Sequence, residues 1–570
     1  IPTIISVPDP AEAASQYLDT WAVFDYPLMY SQLTKLSTDS TSFQEFEARY
    51  KDITLTASLV GLDYEILQVL TNPTTAQVAY AVTLNSALVG EISRETRMNL
   101  SLEGGAWRVV WDETIIIPDL AGGNQLSMQR FTPTRGIIYD RNGDALASDT
   151  DAYAVQVIPS AVEEEDSNGL LSQLSVLLNL NPRFIEQEIF DEDAPFLVPL
   201  GVVSADQFDQ RSPFLDDFFD FLRLDQYFTR LYHAEFGGAN AIGYTGQIGE
   251  NEVDDYIKLG YPIDAVVGKQ GLESWGENYL SGTRGGELYV IGPEGNLITL
   301  LAKREAQPSN SIYSTLDLTL QREAQLAIQG FTGAIVVMER DTGKILSMVS
   351  SPTFDPNSAD FGNPISEWNS YFPDEGGRFF NRATQGQYPP GSIFKVITLA
   401  AALESERWTP QSSYLCGHAW SDLGIDLFDW TLAHGEAASG ELSLLEGLMR
   451  SCNPWFYNIG KTLYDKGDVN LLAEMARSFG LGQPTGLEEL PEEAGQITDP
   501  EASTTGSTPV FNAVQQAIGQ SDTFITPLQA VVYTAAVGNG GSLFKPQLVE
   551  RIVDVNGESV VEFEPVVNST

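Results

Sequence analysis

The stretch Tyr388-Pro-Pro-Gly-Ser-Ile-Phe-Lys-Val-Ile-Thr-Leu-Ala-Ala-Ala-Leu-Glu404 decides how the rest of the chain is interpreted. Its two prolines and glycine force a turn, and the apolar run after them predicts a buried helix. Ser392 then lies in the first turn of this helix, which we expect to open at the floor of a cleft. Lys395 follows three residues later, so both side chains lie on one face of the helix and their ends can meet.

Serine and lysine at this spacing suit nucleophilic catalysis. A serine hydroxyl needs a neighbouring base, and a lysine amine shielded from water can lose its proton and act as that base. The first backbone N–H groups of the helix and its positive dipole end suit a developing oxyanion. Ser-x-x-Lys is also common by chance as a solvated pair, so the prediction depends on the turn, the apolar helix and a second motif.

The second motif is Arg450-Ser-Cys-Asn-Pro-Trp-Phe-Tyr457, which follows a predicted helix over 443–449. Ser451 and Asn453 are separated by one residue, so on a tight turn both can point into the same cleft. The hydroxyl can pass a proton between Lys395 and a leaving amine, and the carboxamide can hold a substrate amide. Taken alone, the same stretch is also typical of a Ser/Asn helix cap.

Length and charge limit the classes of protein. A chain of 570 residues predicts about three or four domains. The 31 basic and 78 acidic residues give a formal charge of −47, which excludes nucleic-acid binding through a basic surface and disfavours acidic membranes. Two cysteines and three histidines exclude a disulfide-stapled scaffold and leave little for a multi-histidine metal site.

Patterning predicts three units. Residues 1–117 combine helical spacing with short alternating strands, which favours a small α+β cone. A linker then leads to Arg135-Gly-Ile-Ile-Tyr-Asp-Arg-Asn-Gly143, whose Asp and Asn-Gly predict a hairpin turn. The last unit opens with a strand and a helix, followed by a hairpin over 333–350.

Finer predictions concern the first two units. Trp107 and Trp111, four residues apart in a predicted strand, face the same side, where core packing is favoured over a pocket. We expect a strand at 53–59 and a helical stretch over 213–231.

No apolar run is long enough to span a bilayer. The chain begins with Ile1 rather than methionine, so we expect a removed start that could have held a signal or an anchor.

These motifs resemble those of the class B high-molecular-weight penicillin-binding proteins, the peptidoglycan D,D-transpeptidases. Ser392-x-x-Lys395 and Ser451-x-Asn453 are similar to two of the three active-site motifs of that family. The front unit, ending in Trp107–Trp111, resembles the NTF2-like domain of low-affinity, methicillin-resistance-type members. Further landmarks similar to the family are Arg135–Gly143, Gly271-Leu-Glu273, Gly333–Met338, Ser351–Asn357, Asn381-Arg-Ala383, Gly519-Gln520 and Thr526–Gln529.

The resemblance implies a multidomain α+β fold. It places an NTF2-like cone at 1–117, a linker and elongated dimerisation domain at 118–311, and a β-lactamase/transpeptidase-like domain at 312–570 with a central antiparallel sheet flanked by helices. The third family motif, Lys-Thr/Ser-Gly, does not occur in the sequence. We expect it to follow Thr570, and therefore expect a chain truncated at both ends. The family also implies anchoring, by a missing N-terminal segment, to the extracytoplasmic face of the bacterial membrane.

The implied function is peptidoglycan cross-linking through a Ser392 acyl-enzyme, with β-lactams acylating the same hydroxyl. In this scheme Lys395 is the base, Ser451 relays the proton and Asn453 orients the substrate. Expected partners are peptidoglycan stem peptides, on a lipid-linked precursor or nascent glycan, and a membrane glycosyltransferase of the elongation or division machinery. No cofactor and no metal are expected.

Several alternatives stay open at this point. A non-catalytic β-lactam sensor or scaffold would keep the fold, and a serine β-lactamase or D,D-carboxypeptidase would keep the nucleophile. The NTF2-like unit could be a binding module for glycan or a partner protein. The two cysteines suit a disulfide outside the cytoplasm and two buried thiols equally well. A metal site is the last alternative, although the spacings match no standard zinc pattern among the clustered residues Cys416, His418, Asp429, His434 and Cys452.

Overall fold

The structure is a computed structural model, and it describes residues 8–163, 165–178, 180–191, 194–233, 238–359, 362–366, 368–374, 376–504 and 506–570. Ile1, on which the expectation of a removed start rests, lies outside these residues. The chain divides into a first unit of residues 1–135, 247–267 and 281–309, and a second unit of residues 136–246, 268–280 and 310–570. Both units contain helices and strands, which confirms the multidomain α+β class.

The first unit packs its N-terminal helices against a four-stranded antiparallel sheet whose strands neighbour one another in chain order. A separate sheet of three strands has Gly285–Ile291 in the middle. The helices of this unit are Pro10–Ala22, Tyr26–Ser31, Lys35–Ser40, Phe43–Thr56 and Val253–Lys258. Its strands are Leu59–Thr71, Thr75–Ser86, Gly90–Glu103, Ala106–Val110, Gln125–Phe131, Gly285–Ile291 and Leu297–Arg304.

Aromatic side chains fill the interior of the first unit. The Tyr50 ring lies 4.8 Å from the Phe46 ring, and its hydroxyl lies 2.8 Å from that of Tyr17. Burial raises the pKa of both tyrosine hydroxyls, so both stay protonated at neutral pH. Trp107 is only 6% exposed, and the Trp111 ring lies 5.4 Å from Phe46. The predicted packing of both tryptophans into the core is confirmed.

The strand predicted at 53–59 is wrong, because the helix Phe43–Thr56 runs through most of it and the strand begins only at Leu59. A capping box between Ser42 and Glu45 starts this helix, and Tyr50 and Ile53 continue the spacing of its buried face. The segment is therefore helical rather than extended, because a helix buries Tyr50 and Ile53 on the same side, against the aromatic core.

A seven-stranded sheet is the scaffold of the second unit. Its long strand Ala145–Val157 pairs antiparallel with Leu222–Tyr232 along most of its length. The helical stretch predicted over 213–231 is therefore wrong from Leu222 onward: 3₁₀ turns occupy Ser212–Phe214 and Asp216–Phe221, and the following residues join the sheet. The predicted hairpin turn is confirmed, since Asp140 Oδ1 accepts backbone N–H bonds from positions 142 and 144 at 2.7 and 2.9 Å.

The C-terminal part of the second unit contains the predicted hairpin, Gly333–Met338 paired antiparallel with Ile345–Ser351. The helix Leu318–Ile328 packs on one of these strands and Pro527–Asn539 on the other. The remaining helices are Ser167–Leu178, Pro182–Ile189, Ala205–Arg211, Ala239–Ile242, Gly271–Trp275, Glu277–Leu280, Lys395–Glu404, Trp430–Ala433, Leu444–Met449, Asn453–Asp465, Leu471–Ser478 and Pro509–Gln516.

The other strands of the second unit lie outside this hairpin. They are Ile138–Tyr139, Ala145–Val157, Val198–Ser204, Leu222–Tyr232, Ser311–Ser314, Ser413–Cys416, Ala419–Trp420, Leu427–Phe428, Gly440–Ser443, Gln496–Ile497, Thr523–Phe524, Leu543–Phe544, Val549–Val553, Ser559–Glu562 and Val567–Ser569. Two further short strands of the chain are Thr245–Gln247 and Val266–Gly268. In the parts of the chain that the structure describes, every helix is too short or too polar to cross a bilayer.

The landmark Gly271-Leu-Glu273 has a structural role in the second unit. Gly271 has φ 63°, and a Cβ there would lie 2.5 Å from the backbone oxygen of Ala241, so only glycine fits. Glu273 is fully buried, and its carboxylate lies 2.8 Å from Nε of Arg230. Another nitrogen of the same guanidinium lies 3.2 Å from the carboxylate of Asp149. The ion pair therefore joins a sheet strand to the short helix that contains the landmark.

We predict that Glu273→Ala destabilises the second unit by about 3–5 kcal/mol, because it leaves the Arg230 guanidinium buried without its main partner. Urea unfolding of the wild type and the variant measures this loss. The control is Asp341→Ala, which removes the partner of Arg340 in an ion pair that is about 60% exposed; no measurable change is expected there. Equal effects of the two substitutions would contradict the prediction.

Candidate active site

The predicted turn and helix at the first motif are confirmed, as a 3₁₀ turn Gly391–Phe394 followed by the α-helix Lys395–Glu404. Gly391 has φ 57°, and its N–H donates to the backbone oxygen of Gly519 at 2.9 Å. A Cβ on Gly519 would lie 2.3 Å from the Gly391 oxygen, so only glycine permits this close packing. The second glycine therefore fixes the turn that carries Ser392.

Lys395 is fully buried, and its amine donates hydrogen bonds to polar groups of the second motif. Nζ donates to the backbone oxygen of Ser451 at 2.8 Å, to its Oγ at 3.1 Å and to Oδ1 of Asn453 at 2.6 Å. The Phe456 ring centroid lies 5.3 Å from the same nitrogen. Three of the four predicted site residues thus meet at one nitrogen atom.

Burial changes the protonation of this amine. It lowers the pKa of Lys395 to about 8, against the smaller opposite effect of the negative charge on Asp429. With this pKa, about a tenth of the amine is neutral at pH 7. The neutral form has a lone pair that can accept a proton, so the site holds a base that works near neutral pH.

Ser451 and Asn453 lie between two helices. Ser451 follows the helix Leu444–Met449 and has φ 52°, a left-handed conformation that costs a non-glycine residue about 1–3 kcal/mol. The caps of the flanking helices come from other side chains: Ser443 caps the first helix, and the sulfur of Cys452 accepts the N–H that caps the second. The interpretation of Ser451 and Asn453 as side-chain caps is therefore wrong; Ser451 ends the preceding helix through its backbone N–H, which donates to the Leu448 oxygen at 2.9 Å.

Ser392 is exposed and lies one turn before Lys395. In the described part of the chain no hydrogen bond joins its hydroxyl to Nζ, whose three bonds go to Ser451 and Asn453. The structure therefore gathers three of the predicted residues and leaves the hydroxyl of the fourth, Ser392, exposed to solvent one turn before Lys395. The catalytic roles of all four residues stay predictions.

Sequence reasoning missed the structural role of Asp429, which entered it only as part of a metal cluster. Asp429 is 2% exposed, and its carboxylate accepts the backbone N–H of Asn453 at 2.8 Å and the hydroxyl of Thr431 at 2.7 Å. An Asp-x-Thr cap at the start of the short helix Trp430–Ala433 was the available sequence signal. Its proximity to Asn453 depends on contacts across 24 positions of sequence.

The two cysteines form a disulfide between Cys416 and Cys452, which resolves the alternative left open by the sequence. Cys452 is the middle residue of the Ser-x-Asn motif, so the disulfide ties this turn to the strand Ser413–Cys416. Their sulfurs lie close to the carboxylate of Asp429, within 4.8 Å. With the disulfide formed, neither sulfur is a thiolate that could bind a metal.

The fold, with an exposed serine one turn before a buried lysine amine, is that of a serine-type acyl-transfer enzyme. Family models match three parts of the chain: the NTF2-like N-terminal transpeptidase domain at 9–124, the penicillin-binding protein dimerisation domain at 130–314 and the penicillin-binding protein transpeptidase domain at 333–570. The chain belongs to the penicillin-binding proteins. The predicted boundaries at 117/118 and 311/312 stay predictions.

Relatives agree with this assignment. The chain is 28% identical over 468 residues to the peptidoglycan D,D-transpeptidase MrdA of Salmonella typhimurium, covering 78% of this chain and 71% of the relative. It is 25% identical to penicillin-binding protein 3 of Bacillus subtilis, covering 95% and 80%. A solved peptidoglycan synthase complex, described as coordinating polymerization and crosslinking, includes a chain with a TM-score of 0.55 and 27% identity, covering 80% and 78%.

We predict that removing the disulfide destabilises the second unit. The disulfide links residues 36 positions apart, and a loop of this length corresponds to about 3–4 kcal/mol. Denaturant unfolding of Cys416→Ala/Cys452→Ser measures the loss, and the serine preserves a capping oxygen at position 452. Reductant should lower wild-type stability and leave the double variant unchanged. Two titratable thiols in unreduced, denatured wild type would contradict the disulfide.

Proposed function

We propose that this protein is a serine D,D-transpeptidase that cross-links peptidoglycan stem peptides and is acylated by β-lactams at Ser392. The observation that carries the proposal is the Lys395 amine, which is buried and bonded to the Ser451 hydroxyl and the Asn453 carboxamide one turn after an exposed serine. This arrangement provides a nucleophile, a base, a proton relay and an amide-binding group within one site.

In the first half-reaction, Ser392 Oγ attacks the carbonyl carbon of the penultimate D-alanine of a stem peptide. The hydroxyl proton passes to the neutral amine of Lys395 as the Oγ–C bond forms. The tetrahedral intermediate then breaks its C–N bond: Ser451 gives its hydroxyl proton to the leaving nitrogen and takes the stored proton from Lys395, whose amine is neutral again. Free D-alanine departs and leaves an acyl ester on Ser392, while the Asn453 carboxamide holds the substrate amide.

In the second half-reaction, an amine of a neighbouring stem attacks the ester carbonyl. Its surplus proton returns through Ser451 and Lys395 to the oxygen of Ser392, so the new amide bond forms as the ester bond breaks. A β-lactam follows only the first half: opening its ring keeps the leaving nitrogen attached to the acyl group. The same serine therefore accounts for cross-linking and for penicillin binding.

We further propose that the protein works on the extracytoplasmic side of a bacterial membrane beside a peptidoglycan glycosyltransferase. The disulfide supports an oxidising compartment outside the cytoplasm. The similarity to a synthase complex that coordinates polymerization and crosslinking supports a polymerising partner. Stem peptides on nascent glycan or on lipid-linked precursor are then the substrates.

We predict one covalent adduct per chain when the full-length protein reacts with a labelled penicillin, and none with Ser392→Ala, because the hydroxyl is the acylated atom. Intact-mass measurement gives the result. The control is Ser405→Ala, at the other end of the same helix, which should retain the adduct. Labelling of Ser392→Ala, or of a peptide that lacks position 392, would disprove the assignment.

We also predict that the acylation rate constant rises with pH about tenfold per unit below 8 and levels off above it. The reason is that the pKa of Lys395 is lowered to about 8 and only its neutral form accepts the serine proton. Stopped-flow acylation from pH 6 to 9.5 measures the profile, and the melting temperature at each pH separates it from unfolding. A flat profile, or a midpoint near the ordinary lysine pKa, argues against this base.

A further inference from the structure

The segment 428–430 holds the turn that carries the second motif. Three consecutive residues contact it. The Asp429 carboxylate accepts the backbone N–H of Asn453 at 2.8 Å, and the Phe428 backbone oxygen accepts the side-chain amide of Asn453 at 3.4 Å. The Trp430 indole donates to the backbone oxygen of Arg450 at 3.0 Å. The turn is therefore bonded from outside at both of its ends, in addition to its disulfide.

The Asp429 carboxylate is fixed in this position. It is 2% exposed, and its second oxygen accepts both the hydroxyl and the backbone N–H of Thr431, at 2.7 and 3.3 Å. The backbone N–H of Asp429 donates to the backbone oxygen of His418 at 2.9 Å. Rotating the carboxylate away from Asn453 would break buried hydrogen bonds, which cost more to lose than exposed ones.

Asn453 connects this carboxylate to the amine of the site. Its N–H bonds Asp429, and its Oδ1 accepts from Lys395 Nζ at 2.6 Å. Tyr457 lies on the same helix, and burial, with a smaller contribution from the Asp429 carboxylate, raises its pKa to about 12, so it stays neutral. The negative charge of Asp429 opposes the effect of burial on the Lys395 amine.

We propose that Asp429 is a positioning residue of the acyl-transfer site: its carboxylate fixes Asn453 through the backbone N–H, and its negative charge stabilises the ammonium form of Lys395. The charge acts when Lys395 holds the proton taken from Ser392, and the hydrogen bond acts throughout the reaction. The inference rests on the proposed function, since it concerns the acylation of Ser392. A residue that only stabilised the fold would not change the protonation of the amine.

The test uses the full-length protein and the rate of acylation by a penicillin as a function of pH. Asp429→Asn keeps the shape and one acceptor oxygen but removes the charge, so the midpoint of the profile should move to lower pH. The ratio of the rate at pH 6.5 to the rate at pH 9 should then rise by about twofold or more. Asp429→Ala removes the acceptor as well, and the rate on the plateau should fall about 10- to 100-fold.

Two further variants make the result decisive. Asp426→Asn removes an equal charge from an exposed position in the same loop and should keep the wild-type midpoint and plateau. Thr431→Val keeps the Asp429 charge but removes the hydroxyl that orients it, so the plateau should fall while the midpoint stays; it decides the positioning role if the Asp429 variants do not fold.

Three results would overturn the inference. An unchanged midpoint in Asp429→Asn, a wild-type plateau in Asp429→Ala, or a wild-type plateau in Thr431→Val would each refute the inference. In all three cases the wild type would still be acylated at Ser392 with its own pH profile, and the proposed function would stand. A wild type that is not acylated would instead remove the proposed function, and this inference with it.

Discussion

The site depends on an amine held out of water. Removing an ammonium group from water costs several kcal/mol unless hydrogen bonds and nearby charge compensate. Lys395 has three acceptors within 3.1 Å, and Asp429 supplies the opposite charge. This compensation is incomplete, and the result is an amine whose pKa lies near 8. The same balance keeps the lysine buried and makes it useful as a base.

Most of the surrounding structure keeps the acceptors where the amine needs them. Ser451 is held in a left-handed conformation that an isolated chain would rarely adopt. The disulfide at Cys452 and the hydrogen bond from Asn453 to Asp429 hold the residues that follow it. Strain at Ser451 is thus balanced by restraints from a strand and a loop that precede it in sequence.

The errors of sequence interpretation have a common cause. Most of the strand predicted at 53–59 is instead a helix that buries Tyr50 and Ile53. The second half of the helical stretch predicted over 213–231 is a strand that pairs with Ala145–Val157. In both places the burial of an apolar face against distant residues outweighed local spacing. The turn at Gly391 was predicted correctly because prolines and glycine restrict the backbone over a few residues, although its close packing also requires Gly519.

The sequence by itself determined the turn, the apolar helix and the spacing of Ser392, Lys395, Ser451 and Asn453, because prolines, glycines and helical periodicity act over a few residues. The tertiary structure decided that the lysine amine meets the second motif rather than the serine hydroxyl, that the cysteines pair, and that Asp429 holds Asn453. Those outcomes require groups separated by 24 to 58 positions to meet. Only the packing of the whole unit brings them within bonding distance.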